Sequence, residues 1–70
     1  MNSLNTEKLK DVIAQTGITM TALSGRIGIS REALYNKVER KTEFTASEIM
    51  KLSEALHLST DCRDDIFFGQ

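Results

Sequence analysis

Proline and tryptophan are absent from the 70 residues, and cysteine, histidine and tyrosine occur once each. With no proline, 40% hydrophobic and 27% charged residues, the composition excludes a disordered chain and points to a globular one. The lone cysteine, Cys62, has no partner for an internal disulfide, so a buried thiol in a reducing cytoplasm is expected. Nowhere do apolar residues run for about 18 positions, which excludes a membrane-spanning helix. The opening MNSLNTEKLK has no apolar segment of the kind a secretory signal needs. His57 and Cys62 lack the partners of a nucleophilic triad or a zinc set, and Asp61, Asp64 and Asp65 lack the alternation and glycine of a calcium loop. A chain this short also has little room for a ligand-sized pocket. An enzyme, a cofactor, a metal and a small-molecule substrate are therefore not expected.

Strong charge of either sign is missing too: the net charge is −1 and the sequence pI about 5.7. A nucleic-acid-binding domain is more often basic, so the sum argues against that class and the distribution has to be weighed. Residues 1–25 balance to zero. Residues 26–41, with Arg26, Arg31, Lys37, Arg40 and Lys41 against Glu32 and Glu39, carry +3. Residues 42–70 carry −4. A molecule polarised in this way can approach a phosphate backbone with one face while the other is repelled.

What is present is helical periodicity, with almost no strand alternation. Leu9, Val12, Ile13 and Thr16 recur at helical spacing before Gly17, and either Asn5 or Thr6 starts that helix. Thr19 is the expected N-cap of a second helix with Ala22, Leu23 and Ile27 on its inner face, ended by Gly28. Ser30 caps a third, in which Ala33, Leu34 and Val38 face inward. Thr45 and Glu48 have capping-box spacing, with Phe44 and Ile49 as a hydrophobic staple, and Ile49, Leu52, Ser53 and Leu56 trace the buried stripe of a fourth helix. His57 falls in its last turn, where the helix dipole favours a cation. A fifth helix starts at Ser59 or Thr60 and ends in Ile66, Phe67 and Phe68; Ile66 is assigned to the core, and the apolar end could otherwise serve a dimer contact. Seventy residues without a linker or repeat make one domain, residues 1–70, burying only about 60% of its unfolded surface.

Only Gly28, Ile29 and Ser30 separate the second and third helices. The glycine permits positive φ, so the chain reverses at once, and Ile29 packs inward to pin the corner. This is a helix-turn-helix, spanning about residues 19–40, in which one helix lies across the DNA backbone and the next enters the major groove.

The stretch TMTALSGRIGISREALYNKV resembles the helix-turn-helix of lambda-repressor-like proteins, the group of phage repressors, Cro proteins and Xre-type regulators. The later KTEFTASEIMKLSEALHLS and DDIFF are similar to small phage and prophage regulators, so the likeness covers about residues 6–68. It implies an all-α, compact five-helix DNA-binding domain whose third helix reads double-stranded operator DNA. By position, base reading is implied for Arg31, Glu32 and Asn36, with Tyr35 beside them. The side chains suit these roles, since arginine forks onto guanine, asparagine pairs with an adenine edge, and glutamate accepts from cytosine. Phosphate contact is implied for Thr19 and Thr21 at the start of helix two, Ser30 at the turn, and Lys41 and Thr42 after helix three, with Lys37 and Arg40 assisting.

Two positions depart from the family pattern. Met20 stands where a polar residue, often glutamine, is common, and Arg40 where many members end helix three with glycine. Resemblance thus implies a cytoplasmic, nucleoid-associated transcriptional regulator of phage or prophage type, a repressor or Cro-like switch protein, meeting two half-sites as a homodimer. An alternative is a protein-binding modulator or antirepressor with the same fold, whose Arg31, Tyr35 and Asn36 face docks on a partner repressor.

Overall fold

Asn5, Thr19, Ser30, Thr45 and Ser59 each stand one residue before a helix, and each side-chain oxygen accepts the backbone N–H three residues on. These bonds measure 3.0–3.1 Å. The N–H groups they satisfy have no partner within their own helix, so each cap contributes about 1 kcal/mol and sets where its helix begins. In the computed structural model, which describes residues 4–69, the helices are α1 (Thr6–Thr16), α2 (Met20–Ile27), α3 (Arg31–Val38), α4 (Ala46–Ala55) and α5 (Thr60–Phe67). No strand occurs among the described residues. The expected five-helix, all-α fold is present, and the two open starts fall to Asn5 and Ser59. Residues 1–3 and 70 of the expected domain lie outside the described residues.

The core is built from pairs four residues apart: Leu9 and Ile13, Leu23 and Ile27, Leu34 and Val38, Leu52 and Leu56. Residues at that spacing share one helix face, so each helix turns one short apolar stripe inward. Leu4, Ile66 and Phe67 complete the cluster. α2 lies against both α3 and α4, while α1 packs on α3 and α5. Ile66 is in the core as expected, Phe67 joins it, and Phe68 is 49% exposed.

Several expected positions move. Ala22 is exposed; Met20, three residues before Leu23, packs on the core in its place, and Ser24 is the buried polar residue of α2. Ser24 is satisfied there because its hydroxyl donates to the Thr21 carbonyl at 2.8 Å. Cys62 is half-buried rather than buried, since it lies in the first turn of α5, where its N–H donates to Ser59. His57 lies beyond α4 rather than in its last turn: at φ 54° it has already left the helix, and the Leu58 N–H returns to the Ser53 carbonyl at 2.9 Å.

The turn at residues 28–30 follows its expected chemistry. Gly28 has φ 79°, its N–H and that of Ile29 both donate to the Ser24 carbonyl, and Ile29 packs against the core. Two further bonds tie the start of the chain to the rest. The Asn5 N–H donates to the Ile66 carbonyl at 2.7 Å, and the Thr6 hydroxyl to the Val38 carbonyl at 3.1 Å. The second of these anchors the far end of α3 to the start of α1.

Candidate nucleic-acid interface

With Leu34 and Val38 buried, the opposite side of α3 must face away from the core. Arg31, Glu32 and Tyr35 are exposed there, Tyr35 by 55%, and the three together line one surface depression. Asn36 is half-buried and is not part of that lining. Arg31, Glu32 and Asn36 make no side-chain hydrogen bond or ion pair to any described residue. Their polar ends are available to another molecule.

Thr19, Thr21, Ser30, Lys41 and Thr42 are exposed, as is Arg40. Thr19 and Ser30 spend one oxygen lone pair on capping, but a hydroxyl keeps its own hydrogen to donate, and a phosphate oxygen is a suitable acceptor. The first N–H groups of α2 and α3 have no partner inside their helices and suit an anion in the same way. Met20 is half-buried against the core rather than offering a polar side chain at the start of α2. Beside it runs an apolar groove of about 360 Å³, walled by Ile13, Ile18, Tyr35 and Val38 and edged by Lys10 and Glu39.

Lys37 is placed differently from its expected assisting role. Its ammonium lies 3.0 Å from Glu48 Oε1 and donates to the Glu43 carbonyl at 2.9 Å, with the side chain only 14% exposed. Glu39 is also matched internally, by Lys10 at 2.7 Å, which joins α1 to the end of α3. That hydrogen bond holds the Lys10 ammonium above its usual value, against a smaller opposing effect of burial. The Glu48 carboxyl is pushed up by partial burial. The Thr45 N–H, the Lys37 ammonium and the Thr45 hydroxyl together outweigh that push and leave it below the ordinary carboxylate value. Glu39 and Glu48 each thereby have a lysine partner, while Arg26, Arg31 and Lys41 remain at the surface.

Arg40 has φ 69°, the left-handed region a glycine enters without strain. Its N–H donates to the Lys37 carbonyl at 3.1 Å and that of Lys41 to the Asn36 carbonyl at 2.8 Å. The backbone therefore ends α3 as a glycine would, and this position gains a cation in its place. Neither the Lys10–Glu39 nor the Lys37–Glu48 contact was anticipated from the sequence, because each crosses between helices with no local spacing to mark it.

Among the described residues no three His, Cys, Asp or Glu side chains gather as a metal site. No described helix is long and apolar enough to cross a membrane. A family model described as Cro/C1-type HTH DNA-binding domain matches residues 8–61, taking in all of α2, α3 and α4 and most of α1. No curated protein matches the chain.

Proposed function

The chain belongs to the Cro/C1-type HTH DNA-binding domains, and on that premise we propose that it is a sequence-specific transcriptional regulator of phage or prophage type. It acts as a repressor or Cro-like switch by occupying operator DNA. α3 enters the major groove with Arg31, Glu32, Tyr35 and Asn36 toward the base edges. Thr19, Thr21 and Ser30 on one side, and Arg40, Lys41 and Thr42 on the other, hold the phosphates. The observation that carries this reading is the outer face of α3: Arg31 and Glu32 are exposed in its first turn and unclaimed by any described side chain. That is the part of a reading helix that goes deepest into the groove.

A homodimer is part of the reading. The protein measures 28 Å along its longest axis, and half-sites of such operators lie about 34 Å apart, so one copy does not reach both. The net charge of −1 is no obstacle, since attraction to phosphate depends on the +3 segment around α3 and not on the sum.

A second reading is favoured by one observation, the apolar groove walled by Ile13, Ile18, Tyr35 and Val38 beside the half-buried Met20. A modulator that binds a partner repressor would use this groove together with Tyr35.

Selection of bound duplexes from a random library by the purified protein separates the two. Enrichment of one sequence, lost on Arg31→Ala, supports the regulator. No enrichment from the protein alone, together with binding to a repressor of the same genome, supports the modulator.

A further inference from the structure

Lys37 lies on the reading helix, but its ammonium belongs to the segment that follows. Glu48 Oε1 takes that ammonium at 3.0 Å and also accepts the Thr45 N–H at 2.8 Å, so one oxygen serves both the capping box of α4 and the lysine of α3. The second Lys37 bond, to the Glu43 carbonyl, grips the middle of the same segment. At the near end the Lys41 N–H returns to Asn36. Residues 39–45 are thus held at the α3 end, in the middle and at the α4 end; Lys41, whose own N–H makes the first of these ties, and Thr42 after it are both exposed.

We infer that Lys37 is a positioning residue for DNA binding: it fixes the 39–45 segment so that Lys41 meets a phosphate, and it touches no DNA itself. The inference rests on the DNA-binding reading above. The coverage of both partners supports it, with the Lys37 side chain 14% exposed and that of Glu48 15%. Reaching a phosphate would require Lys37 to abandon a mostly covered carboxylate, leaving it only the Thr45 N–H and no opposite charge where water screens it poorly. A surface lysine that serves as a phosphate contact has no such tie to break. Lys41, exposed three residues from the end of α3, fits that description.

The test uses Lys37→Met, which keeps the apolar stem, Lys41→Ala, and the double variant. Each is assayed on a duplex selected by the wild-type protein, at a temperature where circular dichroism shows all four folded. Binding is followed as a function of salt, because each phosphate-neutralising cation contributes about 0.9 to the slope of log K against log salt. Lys37→Met is expected to weaken binding about tenfold in the wild-type background and to have little further effect once Lys41 is gone. The double variant then has the slope of Lys41→Ala alone. Exchange of the hydrogen-bonded Lys41 and Thr45 amides in the free protein is expected to speed up in Lys37→Met. Two independent losses, with the slope falling by about one for each lysine, overturn the inference and make Lys37 a phosphate contact. Unchanged exchange at the Lys41 and Thr45 amides overturns it as well. If the wild-type protein selects no duplex, the DNA-binding reading fails and this inference with it, a result distinct from either of those two.

Discussion

Phe44 and Phe67 meet edge to face, with ring centroids 5.5 Å apart and planes at 86°. Phe44 lies just before the cap of α4 and Phe67 is the last residue of α5, so this contact closes the C-terminal half of the fold. The positive edge of one ring on the negative face of the other adds about 0.5–1.5 kcal/mol beyond the area the rings cover. In a double-mutant cycle with Phe44→Leu and Phe67→Leu, urea denaturation should return a coupling in that range. Additive losses would show that the rings act only as separate apolar bodies.

Arg31→Ala should weaken binding to a selected duplex by about 1–3 kcal/mol and relax discrimination at one base pair. Stability should stay within about 0.5 kcal/mol, because Arg31 is exposed and pairs with no described residue. Competition binding against single-base variants of the duplex measures the first effect and thermal denaturation the second. Unchanged affinity would remove Arg31 from the reading surface.

Acid should act through Glu48. Its carboxyl lies below the ordinary value of 4.5 in the folded protein, because the Thr45 N–H and Lys37 outweigh the effect of burial. A group lowered by folding contributes stability above its unfolded value, and loses that contribution as the pH falls through the folded one. Urea midpoints of the wild-type protein should therefore decline from about pH 4.5 downward. Glu48→Gln should start lower at pH 6 and decline less steeply, so the two curves converge in acid. Parallel curves would show that the carboxylate makes no net contribution.

His57→Gly should stabilise the protein by about 1 kcal/mol. His57 holds φ 54°, in the region where a β-carbon crowds the following carbonyl, and it is exposed. In a domain of this size that gain corresponds to about 4–8 °C in Tm. Arg40→Gly relieves the same crowding at φ 69° but removes a proposed phosphate contact. It should lower DNA affinity, whereas His57→Gly leaves it unchanged. Equal affinities for the two variants would take Arg40 off the interface.

The caps and the core were legible in the sequence because both are local signals. Thr45 and Glu48 announce α4 by a three-residue spacing, and Leu34 and Val38 mark α3 by a four-residue one, with no need for the rest of the chain. Ala22 was misplaced because periodicity alone does not separate it from Met20 when both are apolar; packing against the neighbouring helices decides. The left-handed turn at His57 left no mark, since the residue does not prefer that conformation and the backbone bond to Ser53 imposes it, whereas the one at Arg40 was marked only by the glycine that related proteins have there. At the candidate interface, exposure of Arg31, Glu32 and Tyr35 follows from burying Leu34 and Val38. The inward turn of Lys37 depends on Glu48 of α4 and the Glu43 carbonyl before it, whose positions the residues of α3 do not encode.

The hydrogen bond from Asn5 to Ile66 gives the order of synthesis a consequence. On the ribosome α3 emerges well before α5, so for that interval α1 has only part of the surface it finally packs against. A nascent chain lacking residues 60–67 lacks Ile66 and Phe67 of the core and the carbonyl that accepts the Asn5 N–H, and should be a substrate for chaperones or proteases. Under the DNA-binding function proposed above, competence to bind would arrive with the last helix, and a message cut short before it would leave no half-active competitor for the site.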